Sequence, residues 1–118
     1  MTGDHGAWAD ANNSLPHPDV ARCLSNLAEI YRYQERYAEA AALHKQALAI
    51  SEKALGPGHP DIAYSLNDLA LTYRDQGSYK EAEPLLIRAL SIRENALGFD
   101  HQSTRATREA LDALRLQS

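Results

Sequence analysis

The stretch His17-Pro18-Asp19-Val20-Ala21 returns as His59-Pro60-Asp61-Ile62-Ala63, an offset of 42 residues. Sliding residues 17–58 onto 59–100 leaves 21 of 42 positions identical without a gap. The shared residues are mostly structural types: Leu24 with Leu66, Leu27 with Leu69, Ala28 with Ala70, Tyr31 with Tyr73, Ala40 with Ala82 and Ala47 with Ala89. A period of this length marks one supersecondary unit that cannot bury its apolar face alone and must stack on copies of itself. A third copy starts at His101 and decays. The 118 residues therefore divide into an N-terminal tail or partial cap over 1–16, repeat 1 over 17–58, repeat 2 over 59–100 and a degenerate third repeat over 101–118.

Within each copy the apolar residues follow a helical period. Val20, Leu24, Leu27, Ala28 and Tyr31 fall on one face, as do Ala40, Leu43, Ala47, Ile50 and Ala54. Each copy is predicted to be two amphipathic helices. The first opens at Pro18 or Pro60, where a missing N–H costs nothing, with Asp19 or Asp61 facing the positive end of the helix dipole. It ends near Gln34 or Gln76. Gly77 stops it in the second copy, and Ser78 with Glu81 matches a capping box for the next helix. Gly56 and Gly98 stop the second helices. Small residues at Ala28, Ala40 and Ala47 let paired helices approach closely. Pro84 removes one backbone hydrogen bond about a turn inside its helix. The expected fold is an all-α helical-repeat solenoid of two full helix-turn-helix units plus a C-terminal capping helix.

Bulk properties exclude several function classes. At 44% hydrophobic and 24% charged, the chain reads as soluble and globular. A net charge of -4 provides no cationic patch for nucleic acid. No apolar run approaches the roughly 20 residues that span a bilayer, and the N-terminus lacks the features of a signal peptide, so no membrane association is expected. The single cysteine, Cys23, cannot form an intrachain disulfide and reads as a small packed residue; a cytoplasmic location follows. Asn12-Asn13-Ser14 matches a glycosylation acceptor but, without a secretion signal, reads as polar loop.

The pattern L-x2-L-A-x2-Y, then Y-x-E-A, then A-L-x-I-x-E-x-A-L-G and HPD resembles the kinesin light chain type of tetratricopeptide repeat. The resemblance covers residues 17–100 fully and 101–116 weakly, and extends to the Glu81–Leu85 segment with its Pro84. It implies a right-handed stack of helix pairs whose first helices line a concave groove that grips peptides or protein segments. Two positions depart from it. His44 stands where the pattern has a large apolar residue, supplied by Leu86 in the next copy; Arg108, Asp112 and Arg115 replace the Leu, Ala and Tyr of earlier copies, which suits a capping helix with one wet face.

By this resemblance the groove-lining positions are Arg22, Ser25, Asn26, Glu29 and Arg32 in the first unit and Tyr64, Asn67, Asp68, Leu71 and Arg74 in the second. Arg32 and Arg74 hold equivalent positions and could receive carboxylates of an acidic peptide; Asn26 and Asn67 could meet peptide backbone. The alternative for any of them is the plain solvated side of an amphipathic helix. The carboxylate-clamp residues of chaperone-binding relatives are replaced here by Ser25, Glu29, Asp68, Ala106 and Ala110, which argues against binding chaperone tails. Kinesin light chains take acidic, aromatic-containing peptides, whereas this groove mixes Arg22, Arg32 and Arg74 with Glu29, Asp68 and Glu109, so its sign preference is open.

Catalysis, a metal site and a cofactor are not expected. His17, His59 and His101 recur at the repeat period and are separated by whole units, so they cannot converge on one ion. His5 lies in the tail, and His44 reads as a packed helical residue. The functional expectation is a non-catalytic module with a protein or peptide partner. The competing expectation is self-association as a homodimer, or stacking within a longer array, through the repeat flanks, with Trp8 either covering the first flank or leaving it open.

Overall fold

The computed structural model describes residues 18–117, and Trp8, His5, His17 and the Asn12-Asn13-Ser14 motif lie outside them. Among the described residues there are five helices and no strand: α1 (Pro18–Tyr33), α2 (Tyr37–Leu55), α3 (Pro60–Gln76), α4 (Tyr79–Leu97) and α5 (Gln102–Gln117). Each helix packs on the next, and α2 also joins the two full units by packing on α3.

Two of the recurring histidines, His59 and His101, are helix caps. His59 has extended backbone, and its Nδ1 accepts the Asp61 N–H at 3.1 Å; His101 Nδ1 accepts the Ser103 N–H at 3.0 Å. Each satisfies one of the orphan donors of a helix start. The capping box expected at Ser78 and Glu81 does not form. Ser78 has φ -90° and ψ 66°, and its side chain makes no cap hydrogen bond. Helix α4 runs unbroken through Pro84.

The core consists of alanine contacts flanked by branched side chains. Ala28, Ala40, Ala47, Ala70, Ala82 and Ala89 are all 0% exposed, which lets the helix axes close up. Ile62, Ala63 and Leu66 of α3 pack with Ala89 and Ile92 of α4, with Leu48 of α2 against them. Leu86 of α4 packs with Leu111 and Leu114 of α5. Helix α5 keeps Asp112 and Arg115 exposed on its other side, so that end of the stack is covered by a polar face.

The opposite end differs. Val20 is 50% exposed and Leu27 41%, whereas their equivalents Ile62 and Leu69 are at 0% and 3%. The periodicity gave both copies the same apolar face, but in α3 that face is covered by α2, and no described helix precedes α1. Cys23 is exposed for the same reason, against the expectation of a packed thiol.

The turns after α1 and α3 are the same motif built from different residues. Arg36 N–H donates to the Tyr31 carbonyl at 2.9 Å, and Ser78 N–H to the Tyr73 carbonyl at 2.8 Å. Gly77 supplies the left-handed residue at φ 86°, while Glu35 occupies the equivalent position at φ 62°. A side chain there costs roughly 1–2 kcal/mol that glycine does not incur. Glu35→Gly is therefore expected to stabilise the fold by about 1 kcal/mol, read as a higher melting temperature by circular dichroism. A lower one would contradict this account of the turn.

Candidate functional site

A cavity of about 370 Å³ opens between α1 and α3. Helix α1 contributes Ala21, Arg22, Ser25, Asn26 and Glu29; α3 contributes Asp61, Tyr64, Ser65 and Asp68. From α2, which packs on both, come Ser51 and Leu55. Six of the ten residues expected to line the groove therefore meet here: Arg22, Ser25, Asn26, Glu29, Tyr64 and Asp68. Arg32, Asn67, Leu71 and Arg74 belong to the same two helices but do not line the cavity.

Arg32 and Arg74 converge, but on the chain's own carboxylates. Arg32 donates to Glu29 Oε1 at 2.9 Å and Oε2 at 3.3 Å, and to Asp75 Oδ2 at 2.8 Å. Arg74 reaches Asp75 Oδ1 at 3.2 Å. Asp75 is thus a cross-link between α1 and α3. Its repeat equivalent is Tyr33, so periodicity gave no hint of it.

Beneath this lies His44, 1% exposed, with Nε2 3.2 Å from Glu29 Oε2 and Nδ1 buried without a partner. Burial pushes the imidazole pKa down, against the pull of Glu29, so the ring is held neutral. Burial also pushes the Glu29 carboxyl up, but hydrogen bonds from Arg32 and His44 outweigh it and hold the group ionised. Asp68 is the reverse case. Burial first, and repulsion from Glu29 second, raise its pKa to about 6, with Arg32 and Arg93 only partly compensating. Its carboxylate has no hydrogen bond or ion pair among the described residues; only its main-chain carbonyl is engaged, by the Thr72 hydroxyl.

This arrangement suits binding through charge and hydrogen bonds. Among the described residues no three His, Cys, Asp or Glu side chains are grouped to hold a metal ion, and no helix is long and apolar enough to cross a membrane. Sequence reasoning missed Ala21, Ser51, Leu55, Asp61 and Ser65. One signal was available for Ser51: its repeat equivalent is the much larger Arg93.

The family model of the tetratricopeptide repeat matches residues 19–95 and 61–111. Among solved structures, the nearly identical TPR-like repeats of a kinesin light chain-type protein of Podosopora anserina superpose with a TM-score of 0.77 at 30% identity, over 87% of this chain and 49% of that one. BtubC (BKLC) from P. vanneervenii superposes with a TM-score of 0.78 at 24% identity, over 86% of this chain and 40% of that one, a likeness of fold. The chain spans less than half the length of these structures. No curated protein sequence matches it.

The raised pKa of Asp68 fixes the sign of a pH effect. A carboxyl at about 6 in the folded chain binds its proton more tightly than in the unfolded chain. Its contribution to stability is present below the unfolded value of about 4 and is lost as pH rises through about 6. Asp68→Asn is expected to melt with the parent near about pH 4 and above it at about pH 7.5. Parallel melting curves across that range would show that Asp68 is not desolvated.

Proposed function

Because the chain belongs to the tetratricopeptide repeat family, whose repeats generally mediate contacts between proteins, we propose that it is a non-catalytic module holding a peptide or protein segment in the groove between α1 and α3. The observation that carries this reading is the cavity of about 370 Å³, faced by consecutive first helices and lined by polar side chains at its wall and by Tyr64, 67% exposed, at its rim. An exposed aromatic beside hydrogen-bonding groups is the composition of a recognition surface. Arg32, Asn67, Leu71 and Arg74 extend the candidate surface along the same helices, with Arg32 also holding α1 to α3. The net charge of -4 favours a partner other than nucleic acid.

The test is selection of peptides from a displayed random library on the full chain, followed by Ser25→Trp, which fills the cavity, and Tyr64→Ala, which strips its rim. Each is expected to weaken the selected peptides by at least about tenfold with unchanged helicity. Undiminished binding by both variants would move the site elsewhere.

The open apolar face of α1 supports a second reading, self-association through the repeat flank. Val20, Leu27 and Ile30 are each more than two-fifths exposed, and α5 presents a polar face at the other end, so a pairing of like faces would bury them. Light scattering over a concentration series then gives a dimer mass that Leu27→Glu returns to the monomer. A monomeric parent at every concentration removes this reading and leaves the groove.

A further inference from the structure

The repeat supplies its own comparison for the cavity. Ser51 of α2 and Arg93 of α4 hold equivalent positions in the two units. In the second unit the Arg93 side chain is buried, and its guanidinium donates to the Ser103 carbonyl and to the Thr107 hydroxyl. Its Cζ lies 6.0 Å from the centre of the Tyr64 ring. Ser103, Thr107 and Tyr64 are the equivalents of Asp61, Ser65 and Arg22, three residues that line the cavity between α1 and α3. Where the second unit inserts a cation of its own, the first has the short side chain of Ser51 and an open space.

The charges around that space are consistent with a missing cation. Glu29, Asp61 and Asp68 face it, and the nearby guanidiniums are committed elsewhere: Arg32 to Glu29 and Asp75, Arg93 to Ser103 and Thr107. Arg22, at the exposed rim, lies 3.9 Å from Asp19. Asp68 is left with a half-buried carboxylate and no bonding partner among the described residues, a state that an incoming cation would relieve.

We propose that the cavity between α1 and α3 is a subsite for a cationic side chain, arginine before lysine, with Asp68 as its counter-ion and the hydroxyls of Ser51 and Ser65 beside it. The proposal rests on the groove being the surface that holds the partner, and it names that partner's chemistry: a segment carrying a basic residue at its anchor. A planar guanidinium fits best because that is the group the second unit accommodates at the same place. Binding requires ionised Asp68, whose charged neighbours are Glu29 and Arg32 on α1 and Arg93 on α4, with neutral His44 on α2 behind Glu29; affinity therefore falls as pH drops through about 6.

Two experiments on the full chain test this. Ser51→Arg places the guanidinium from within. It is expected to raise the melting temperature above that of Ser51→Met, a long neutral control, and to lower the titration midpoint of the Asp68 carboxyl, read by carbon NMR, by a pH unit or more. Separately, Nα-acetyl-arginine amide titrated onto nitrogen-labelled chain is expected to shift amides of α1 and α3, and Nα-acetyl-glutamate amide to leave them in place. Asp68→Asn and Ser51→Arg should each weaken the arginine probe at least tenfold. An arginine probe that shifts nothing, with Ser51→Arg melting below Ser51→Met, overturns the subsite; groove-dependent peptides anchored by acidic or uncharged residues would then leave the groove reading intact. Arginine binding in a chain that yields no groove-dependent peptide would support the subsite and count against peptide capture.

Discussion

The close approach of helices at alanine is the constraint on which the rest of this molecule depends. Six alanines, three in each unit at equivalent positions, are completely buried. A larger side chain at any of them would force two helix axes apart and displace every later helix in the stack, because each packs chiefly on its sequence neighbours. The leucine and isoleucine contacts of α3, α4 and α5 fill the space that those alanines define. The cavity between α1 and α3 exists because α2 holds both helices at a fixed separation while placing only Ser51 and Leu55 at the gap.

Against this regular background, the places where the two units differ carry the individuality of the chain. Glu35 takes a glycine's backbone conformation in the first turn motif. His44, where the next unit has Leu86, introduces a buried imidazole that ties α2 to Glu29 of α1. Asp75, where the first unit has Tyr33, draws Arg32 and Arg74 together. Ser51, where the second unit has Arg93, leaves a space. Of these four, Ser51 lines the cavity, His44 contacts the lining residue Glu29, and Asp75 holds Arg32 and Arg74, which lie outside it.

Much of the fold was legible from the residues. The 42-residue offset and the helical period placed five helices, the buried alanines and the positive-φ glycines, and the decay of the third copy anticipated a helix with one polar face. The errors have identifiable causes. Ser78 and Glu81 matched a capping pattern that the backbone at Ser78 does not adopt. Leu27 was assigned to a packed face because the repeat makes all copies look alike, although the first copy has no described neighbour to cover it; Cys23, read as packed for want of a histidine partner, is exposed. The capping role of His59 and His101 depends on a ring nitrogen meeting a backbone N–H two residues on, which spacing alone does not reveal.

The candidate site divides along the same line. Six of the residues that line the cavity could be named from the resemblance to kinesin light chain-type repeats, which carries positions of the first helices over to this chain. Which of them are free to meet a ligand could not, because that depends on pairings between helices. Arg32 looked available and is held by Glu29 and Asp75; the Asp68 carboxylate, one candidate among ten, is half-buried with no partner among the described residues. Sequence by itself determined the units, the faces and the residues that pack. Only the tertiary structure decided which charges are satisfied and where space remains, since those depend on distances between residues that no period relates.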